Sequence, residues 1–309
     1  MTDTAYSQTS QPSTSSTPSD ETRYTSAGVR ASLLEYLHAC PVCGDPEMRH
    51  YSRVPALFAK GEYIHYEHCC SCDVVMRNPR VPPDERLAKY EDKILPDAEK
   101  AIRPKRQRHY RFMMRALKRH TQDIGKRFFD FGCGAGGFLL AARDAGFDVH
   151  GLEINRDLAH FVTDKYGIPV HQGLIDDPGF ANERFDVIVS HMVFEHLLDP
   201  KATLHDLLPH LNTPGLLLIE VPNLLAIKEQ IKRGSTMNDS HLFYFSARGL
   251  SRLLEDAGLR VLEVHEGLRP YRFLPKGDAL PYPLLRAGER VAATLRVRTA
   301  LSVLARRDA

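Results

Sequence analysis

Hydrophobic residues follow two alternating patterns in the chain from residue 127 onward. Short apolar runs predict buried strands, and they lie at 127–131, 147–152, 169–172, 185–190, 216–221 and 259–264. Between them, apolar residues recur at helical spacing, which predicts helices at 138–145, 155–166, 202–211 and 248–257. This alternation predicts an α/β fold, a Rossmann-like, doubly wound and mostly parallel sheet that helices cover on both faces.

The chain upstream of this pattern divides by composition. The first 27 residues are rich in Ser and Thr and contain no Val, Leu or Ile. Such a segment buries too little apolar area to offset the entropy of ordering, so we predict a disordered tail. The predicted segments are this tail (1–27), a cysteine-bearing module (28–80), a helical connector (81–122), the α/β domain (123–266) and a basic amphipathic C-terminal segment (267–309).

Composition excludes several classes of protein. Of the 309 residues, 43% are apolar and 26% are charged, and the net charge is +2. These values are ordinary for a soluble globular protein and give no whole-chain argument for a nucleic-acid partner. No apolar run approaches the roughly 18 residues of a membrane span, and no apolar signal core is visible. We therefore expect a cytoplasmic protein whose cysteines are metal ligands or core thiols.

Four of the six cysteines form two C-x2-C pairs, Cys40 with Cys43 and Cys69 with Cys72, and 25 residues separate the pairs. Two such pairs can close a tetrahedral thiolate site of the kind that holds structural zinc. The alternative is that all four are ordinary core or surface thiols. A closed four-sulfur site leaves no position for water, so the predicted Zn²⁺ stabilises the fold and performs no chemistry.

A glycine-rich turn follows the first predicted strand of the α/β domain and precedes a helix. Its glycines allow a ligand to approach the backbone closely, and the helix start offers N–H groups to an anion. Glu153 lies 21 residues beyond Gly132, where a carboxylate can bind the ribose hydroxyls of any adenosine cofactor. These features leave NAD and S-adenosylmethionine open. Asp130 favours the second, because it suits the methionine ammonium and would repel a pyrophosphate.

The segment Asp130–Gly137 resembles motif I of the class I S-adenosylmethionine-dependent methyltransferases. One branch of that family includes ubiquinone-biosynthesis-type and polysaccharide- or natural-product-associated enzymes, and four further segments resemble it: 185–188, 194–200, 214–223 and 241–246. Some members carry an N-terminal four-cysteine zinc module followed by an Asn-Pro-Arg segment, to which 78–80 is similar. The resemblance implies methyl transfer but is not specific for a substrate. We predict a small-molecule or glycan-type acceptor that is methylated on oxygen rather than on carbon or nitrogen.

Seven residues are predicted to bind the cofactor. The family often has an acidic residue after the third strand, but Leu174 follows Gly173 here, so the adenine contact is assigned to Asp176 or to backbone atoms instead. His191 directly follows the fourth strand, at the sheet edge where this fold binds its ligands. The full set is Asp130, Gly132, Gly134, Gly136, Glu153, Asp176 and His191.

Three more residues are candidates for catalysis. An acceptor hydroxyl must lose a proton near neutral pH, which calls for a base. His196 and His241 are predicted to move that proton or to position the acceptor, and Glu195 is predicted to orient a neighbour. If neither histidine mattered, proximity alone would be the better mechanism.

Two basic segments of the chain are compatible with more than one kind of binding partner. Residues 100–120 contain nine Lys or Arg and no acid, which fits either a solvated helix or an anionic partner. Residues 284–307 carry an apolar stripe between arginines, which suits packing or peripheral membrane contact. An RNA methyltransferase and a non-catalytic S-adenosylmethionine-binding protein remain alternatives. The sequence contains no Asn/Asp-Pro-Pro-Tyr-type tetrad of the kind that base-methylating enzymes carry, so a nucleic-acid partner is not favoured.

Overall fold

The computed structural model describes residues 34–55, 63–80, 103–225, 240–267 and 300–308. The predicted tail, residues 81–102 of the predicted connector and residues 268–299 of the C-terminal segment lie outside this part of the chain. Within it, no helix has both the length and the apolar character that crossing a membrane requires.

The strands are β1 (Met48–Pro55), β2 (Tyr63–Cys69), β3 (Val74–Arg77), β4 (Arg127–Phe131), β5 (Asp148–Glu153), β6 (Val170–Gln172), β7 (Phe185–His191), β8 (Leu211–Pro222), β9 (Phe243–Tyr244), β10 (Arg260–Gly267) and β11 (Ala300–Arg307). The helices are α1 (Pro104–Lys118), α2 (Gly137–Asp144), α3 (Arg156–Tyr166), α4 (Pro200–Leu207) and α5 (Ala247–Asp256).

A seven-stranded sheet forms the centre of the α/β domain, in the order β10-β11-β8-β7-β4-β5-β6. The strands from β4 to β8 pair in parallel, whereas β11 runs antiparallel to both of its neighbours. Side-chain caps start three of the covering helices, since Asn155, Asp199 and Ser246 each accept a backbone N–H of the first turn. The predicted α/β fold is confirmed, with one antiparallel strand in the sheet.

A four-stranded antiparallel sheet forms the N-terminal module, in the order β1-β2-β3-β9. Its last strand, β9, comes from the α/β domain, so the module and the domain share a sheet. The module also packs on α5 at Gly249, where an added Cβ would lie 2.5 Å from Val74 Cγ2. One hydrophobic cluster accordingly contains both module residues and domain residues, among them Cys72, Val74, Phe129 and Leu253.

The last part of the C-terminal segment predicted at 267–309 belongs to the central sheet of the α/β domain. Residues Ala300–Arg307 form β11, which lies between β8 and β10 inside the sheet. Leu301 and Leu304 are buried in the two clusters on opposite sheet faces, because strand residues of different parity point to opposite sides. Both residues therefore pack on the chain's own domain, one of the two uses that the sequence left open for this segment. The sequence pattern did not predict this short strand, whose two arginines lie at its C-terminal end.

The predicted connector 81–122 also differs from the structure where it is described. Helix α1 buries Tyr110, Met113 and Leu117 in the cluster that contains Phe128 and Phe138 of the α/β domain. The helix therefore packs as part of that domain. On its other side Arg106, Arg115, Lys118 and Arg119 are exposed.

Candidate active site

The glycine-rich turn joins the carboxyl end of β4 to α2. Gly132, Gly134 and Gly136 have left-handed backbone conformations, with φ of 78°, 52° and 75°. Glycine adopts this region without the Cβ clash that other residues meet. A Cβ atom at Gly132 would in addition lie 2.6 Å from Val193 Cγ2. The turn thus requires glycine and lets a ligand approach the backbone closely.

Glu153 ends β5 and holds the turn in place. One carboxylate oxygen accepts the backbone N–H of Gly134 at 2.8 Å, and the other accepts that of Asn155 at 2.9 Å. The side chain is buried, yet it also lines the pocket that opens beside the turn. A carboxylate so fixed is a preorganised acceptor for ligand hydroxyl groups.

The pocket has a volume of about 520 Å³ and lies at the carboxyl ends of the parallel strands. In this fold, that edge of the sheet is where ligands bind. Its walls are largely apolar with a few polar groups, as in ligand pockets generally. They include Phe131, Gly132, Glu153, Ile154, Gly173, Leu174, Met192, Val193, His196, Leu197, Leu198 and Asp199.

The predicted site residues fall into three groups in the structure. Gly132, Glu153 and His196 line the pocket, and Gly134 and Gly136 form the adjoining turn. Asp130, His191, Glu195 and His241 lie outside the described lining of the pocket. Asp176 is exposed and does not line it; Gly173 and Leu174 form that wall instead.

Asp130 is buried at 2% exposure near the turn, and its Oδ1 has no hydrogen-bond partner among the described residues. Burial, together with the negative charge of Glu153, raises the pKa of Asp130 to about 8. The carboxyl group is therefore protonated near neutral pH. A cation placed against it would restore the ionised form.

His191 belongs to a buried cluster beneath α1. Glu220 Oε1 lies 2.8 Å from His109 Nε2 and 3.4 Å from His191 Nε2, and Ser302 donates a hydrogen bond to Glu220 at 2.8 Å. Burial alone would raise the pKa of Glu220, but the charges and hydrogen bonds of the two histidines hold it well below its usual range. Because β7, β8, β11 and α1 each contribute a side chain, the cluster fixes the helix to the sheet.

The three predicted catalytic residues do come together. His196 Nδ1 lies 2.8 Å from the Ser240 carbonyl oxygen, and its Nε2 lies 3.7 Å from Glu195 Oε1. The ring of His241 packs edge-on against that of His196 at 4.8 Å between centroids. Glu195 is buried, and its carbonyl accepts the N–H of Leu242 at 2.7 Å. Only His196 of these lines the pocket.

The four paired cysteines also converge. All four sulfurs lie within 4.8 Å of one another, with Cys40 and Cys72 3.6 Å apart and Cys43 and Cys69 3.5 Å apart. Zn–S bonds of about 2.3 Å place tetrahedral sulfurs roughly 3.8 Å apart, so the set fits zinc. A hydrogen bond from Cys72, and others from backbone amides, lower the pKa of Cys40 to about 6, and the same contact raises the pKa of Cys72, so the two sulfurs share one thiolate. Cys70 lies outside the cluster.

A family model described as "Methyltransferase domain" matches residues 104–264, just over half of the chain. The chain belongs to this methyltransferase family. The matched range begins at α1, in agreement with the packing of that helix on the domain.

Two curated relatives match the methyltransferase over part of their length. The C-methyltransferase NovU of Streptomyces niveus is 28% identical over 145 residues, which cover 46% of this chain and 34% of NovU. The ubiquinone biosynthesis O-methyltransferase of Parvibaculum lavamentivorans is 33% identical over 128 residues, which cover 40% of this chain and 49% of the relative. The chain thus spans about a third to a half of these relatives.

Solved structures share the fold of the methyltransferase. A chain in the complex of the Haloferax volcanii Trm112 methyltransferase activator with a methyltransferase has a TM-score of 0.51 and 21% identity, and the match covers 71% of this chain and 98% of that one. The plantazolicin methyltransferase BpumL, bound to a pentazolic desmethylPZN analog and SAH, has a TM-score of 0.52 and 16% identity over 74% and 92% of the two chains.

Sequence reasoning missed several residues of this methyltransferase site. Leu174, Met192 and Val193 line the pocket, but apolar residues after strands give no signal of their own. His109 and Glu220 join His191 from elements far apart in the sequence. Glu220 lies inside a predicted buried strand, and His109 lies inside the predicted helical connector. Because a buried charge requires a partner, the position of Glu220 could have indicated that a basic side chain packs against it.

Proposed function

We propose that the protein is an S-adenosylmethionine-dependent methyltransferase that acts on a small-molecule or glycan-type acceptor, with transfer to oxygen. The observation that carries the proposal is the glycine turn, which Glu153 holds open beside a pocket of about 520 Å³. Family membership supports the reaction class. The names of the two partial relatives support both oxygen and carbon as acceptor atoms.

The chain's own residues would bind the cofactor in two parts. Glu153 would accept the ribose hydroxyls, and the apolar wall at Ile154 and Leu174 would contact the adenine. Buried Asp130 would stabilise the methionine ammonium, since an opposite charge repays the cost of ionising it. The same carboxylate would repel a pyrophosphate, which disfavours NAD in this pocket.

Methyl transfer from a sulfonium is an in-line displacement, so alignment supplies much of the acceleration. The carbonyl of Ser240 beside Nδ1 of His196 favours the tautomer with hydrogen on Nδ1, which gives Nε2 the lone pair. Nε2 can then take the proton of an acceptor hydroxyl as the oxygen–carbon bond forms. Glu195 would stabilise the resulting imidazolium, and His241 would hold the ring in position.

The four cysteines are proposed to hold a structural Zn²⁺. The backbone N–H groups of Val42 and Cys43 face the sulfur of Cys40, as the turn of a zinc knuckle requires. Because the module is small and its cysteines are part of the shared core, the metal would stabilise the whole chain.

A labelled-methyl screen over small phenols, glycans, lipids and RNA tests the reaction. We expect transfer to a small-molecule or glycan hydroxyl. His196→Ala should lower kcat by roughly 10²–10⁴-fold, as for loss of a general base. His205→Ala, an exposed histidine on α4, is the control and should leave kcat unchanged. Equal kcat in all three proteins would remove the proton-transfer role.

The same screen decides between acceptor classes. The exposed arginines and lysine of α1 favour an anionic acceptor such as RNA as the second candidate. Transfer to RNA alone would replace the proposed acceptor. Cofactor binding without transfer to any class would leave a non-catalytic S-adenosylmethionine-binding protein.

A further inference from the structure

A second cavity, of about 410 Å³, lies on the N-terminal module. It shares no described lining residue with the pocket beside the glycine turn. Its walls come from residues 34–36, from β1, from β2 and from the end of β3. Its volume is within the range of small-ligand pockets.

Exposed aromatic surface marks this cavity. In the described part of the chain, three large apolar or aromatic side chains are strongly exposed: Tyr36 at 61%, Tyr63 at 51% and Leu174 at 42%. Leu174 lines the pocket beside the glycine turn, and both tyrosines line the second cavity. Exposed apolar surface that gathers at a concave site indicates binding.

The polar lining carries charges of both signs. Arg77 and Asn78 are more than nine-tenths buried and line the cavity, as does Glu67. Asn78 Nδ2 donates to Glu67 at 2.7 Å, so part of the network is already fixed. His50 and His65 add groups that both donate and accept. A net anion would face Glu67, and a net cation would face Arg77.

We propose that this cavity binds an uncharged, hydroxyl-rich ring such as a sugar unit. Hydroxyl groups donate and accept at once, which matches the mixed set of guanidinium, carboxylate and imidazole groups. The Asn78 amide is already hydrogen-bonded to Glu67 and to the backbone of Leu37. Tyr36 and Tyr63 expose much of their aromatic surface. The Arg53 guanidinium covers one face of the Tyr63 ring, 4.9 Å from its centroid, so the C–H face of a sugar ring would stack on Tyr36 and on the opposite face of Tyr63. The Glu67 carboxylate disfavours a phosphate, and the charged lining disfavours a purely apolar ligand.

Backbone hydrogen bonds connect the cavity to the group formed by Glu195, His196 and His241. The N–H of Arg77 donates to the Leu242 carbonyl at 2.8 Å, and the N–H of Leu242 donates to the Glu195 carbonyl at 2.7 Å. The ring of Tyr244 lies 5.5 Å from that of His241 and 5.6 Å from that of Tyr66 on β2. That the bound ring is part of the methyl acceptor rests on the proposed function; that the cavity binds a ring does not.

Saturation-transfer NMR on the full chain tests the site. The probes are the methyl glycosides of glucose, galactose, mannose and N-acetylglucosamine, with methyl glucuronide and glucose 1-phosphate as charged counterparts. We expect at least one neutral glycoside to bind, and Tyr63→Ala to weaken it about fivefold. Tyr63→Phe should retain binding, because the ring remains. S-adenosylhomocysteine affinity should be the same in all three proteins.

Leu174→Ala is the matched control, an exposed apolar side chain truncated in the other pocket. It should weaken S-adenosylhomocysteine and leave glycoside binding intact. Three results would overturn the site: no neutral glycoside binds, only the charged probes bind, or binding survives the Tyr36→Ala/Tyr63→Ala double variant. Because the cofactor product is measured separately, failure of the glycoside site is distinguishable from failure of the proposed methyl transfer.

Discussion

At the scale of single residues, the proposed preference for S-adenosylmethionine over NAD depends on buried Asp130. Its position before the glycine turn could be predicted from sequence, and so could its suitability for an ammonium group. Its protonation could not, because the pKa depends on burial and on the distance to Glu153. The same limit applies to His196, whose tautomer depends on the Ser240 carbonyl.

Asp130 predicts that cofactor binding releases a proton. The pKa of its carboxyl is about 8 in the free protein, and a bound ammonium should lower it, so affinity should rise with pH between about pH 6 and 7.5, by at most tenfold per unit. Calorimetry in buffers of different ionisation enthalpy measures the released proton. Asp130→Asn should bind more weakly and show neither effect.

The raised pKa of Asp130 also affects how the free energy of unfolding depends on pH, in the direction opposite to cofactor affinity. A carboxyl with a raised pKa contributes stability below its unfolded pKa, and this contribution is lost as pH rises toward the folded value of about 8. Asp130→Asn should therefore gain stability relative to the unliganded wild type as the pH is raised from 4 to 8. An unchanged difference across this range would contradict the raised pKa.

At the scale of elements, the parallel strands and their helices follow from the apolar runs that the sequence displays. Strand β11 does not, because it pairs with β8 and β10 across a long stretch of chain and its arginines suggest a surface. Strand β9 is only two residues long, too short for a periodic signal. Long-range pairing is the information that a local pattern lacks.

One element, the segment 77–80, connects the module to the pocket wall. The Arg80 guanidinium binds Glu35 through two nitrogens at 2.6 and 3.0 Å and donates to the carbonyl of Leu198, which lines the pocket. These hydrogen bonds lower the pKa of Glu35. Arg80 therefore positions the loop that carries His196.

Arg80→Lys should weaken S-adenosylhomocysteine binding by about tenfold, because lysine cannot reproduce the planar fork. Arg248→Lys is the control, since Arg248 also crosses between domain and module, to the Ser71 carbonyl at 2.5 Å, away from the pocket. Calorimetry on both variants measures the difference. Equal losses in the two would show a general effect of module docking rather than positioning of the loop.

At the scale of the whole molecule, the module and the domain act as one folded unit through shared core and sheet. The sequence predicts a four-cysteine metal site from spacing alone, and the structure brings those four sulfurs together. The continuity of the core was not predictable, because it depends on α5 approaching the module at Gly249. The ends of β3 and β9 place the module beside Glu195, His196 and His241.

Metal loss should therefore destabilise more than the module. We expect about one zinc per chain, and Cys72→Ser should lose it and lower the midpoint of thermal unfolding of the whole chain in a single transition. Cys70→Ser, the neighbouring thiol outside the cluster, should keep both the metal and the midpoint. Elemental analysis with calorimetric unfolding gives both values. Zinc retained in Cys72→Ser would contradict the ligand assignment.

The cofactor is the central claim, and titration calorimetry tests it most directly. The full chain is titrated with S-adenosylmethionine, S-adenosylhomocysteine and NAD, in wild type and in Glu153→Ala. We expect the two adenosyl sulfur compounds to bind the wild type at one site, NAD to show no heat, and Glu153→Ala to lose at least tenfold in affinity. Binding of NAD without the other two would contradict the account.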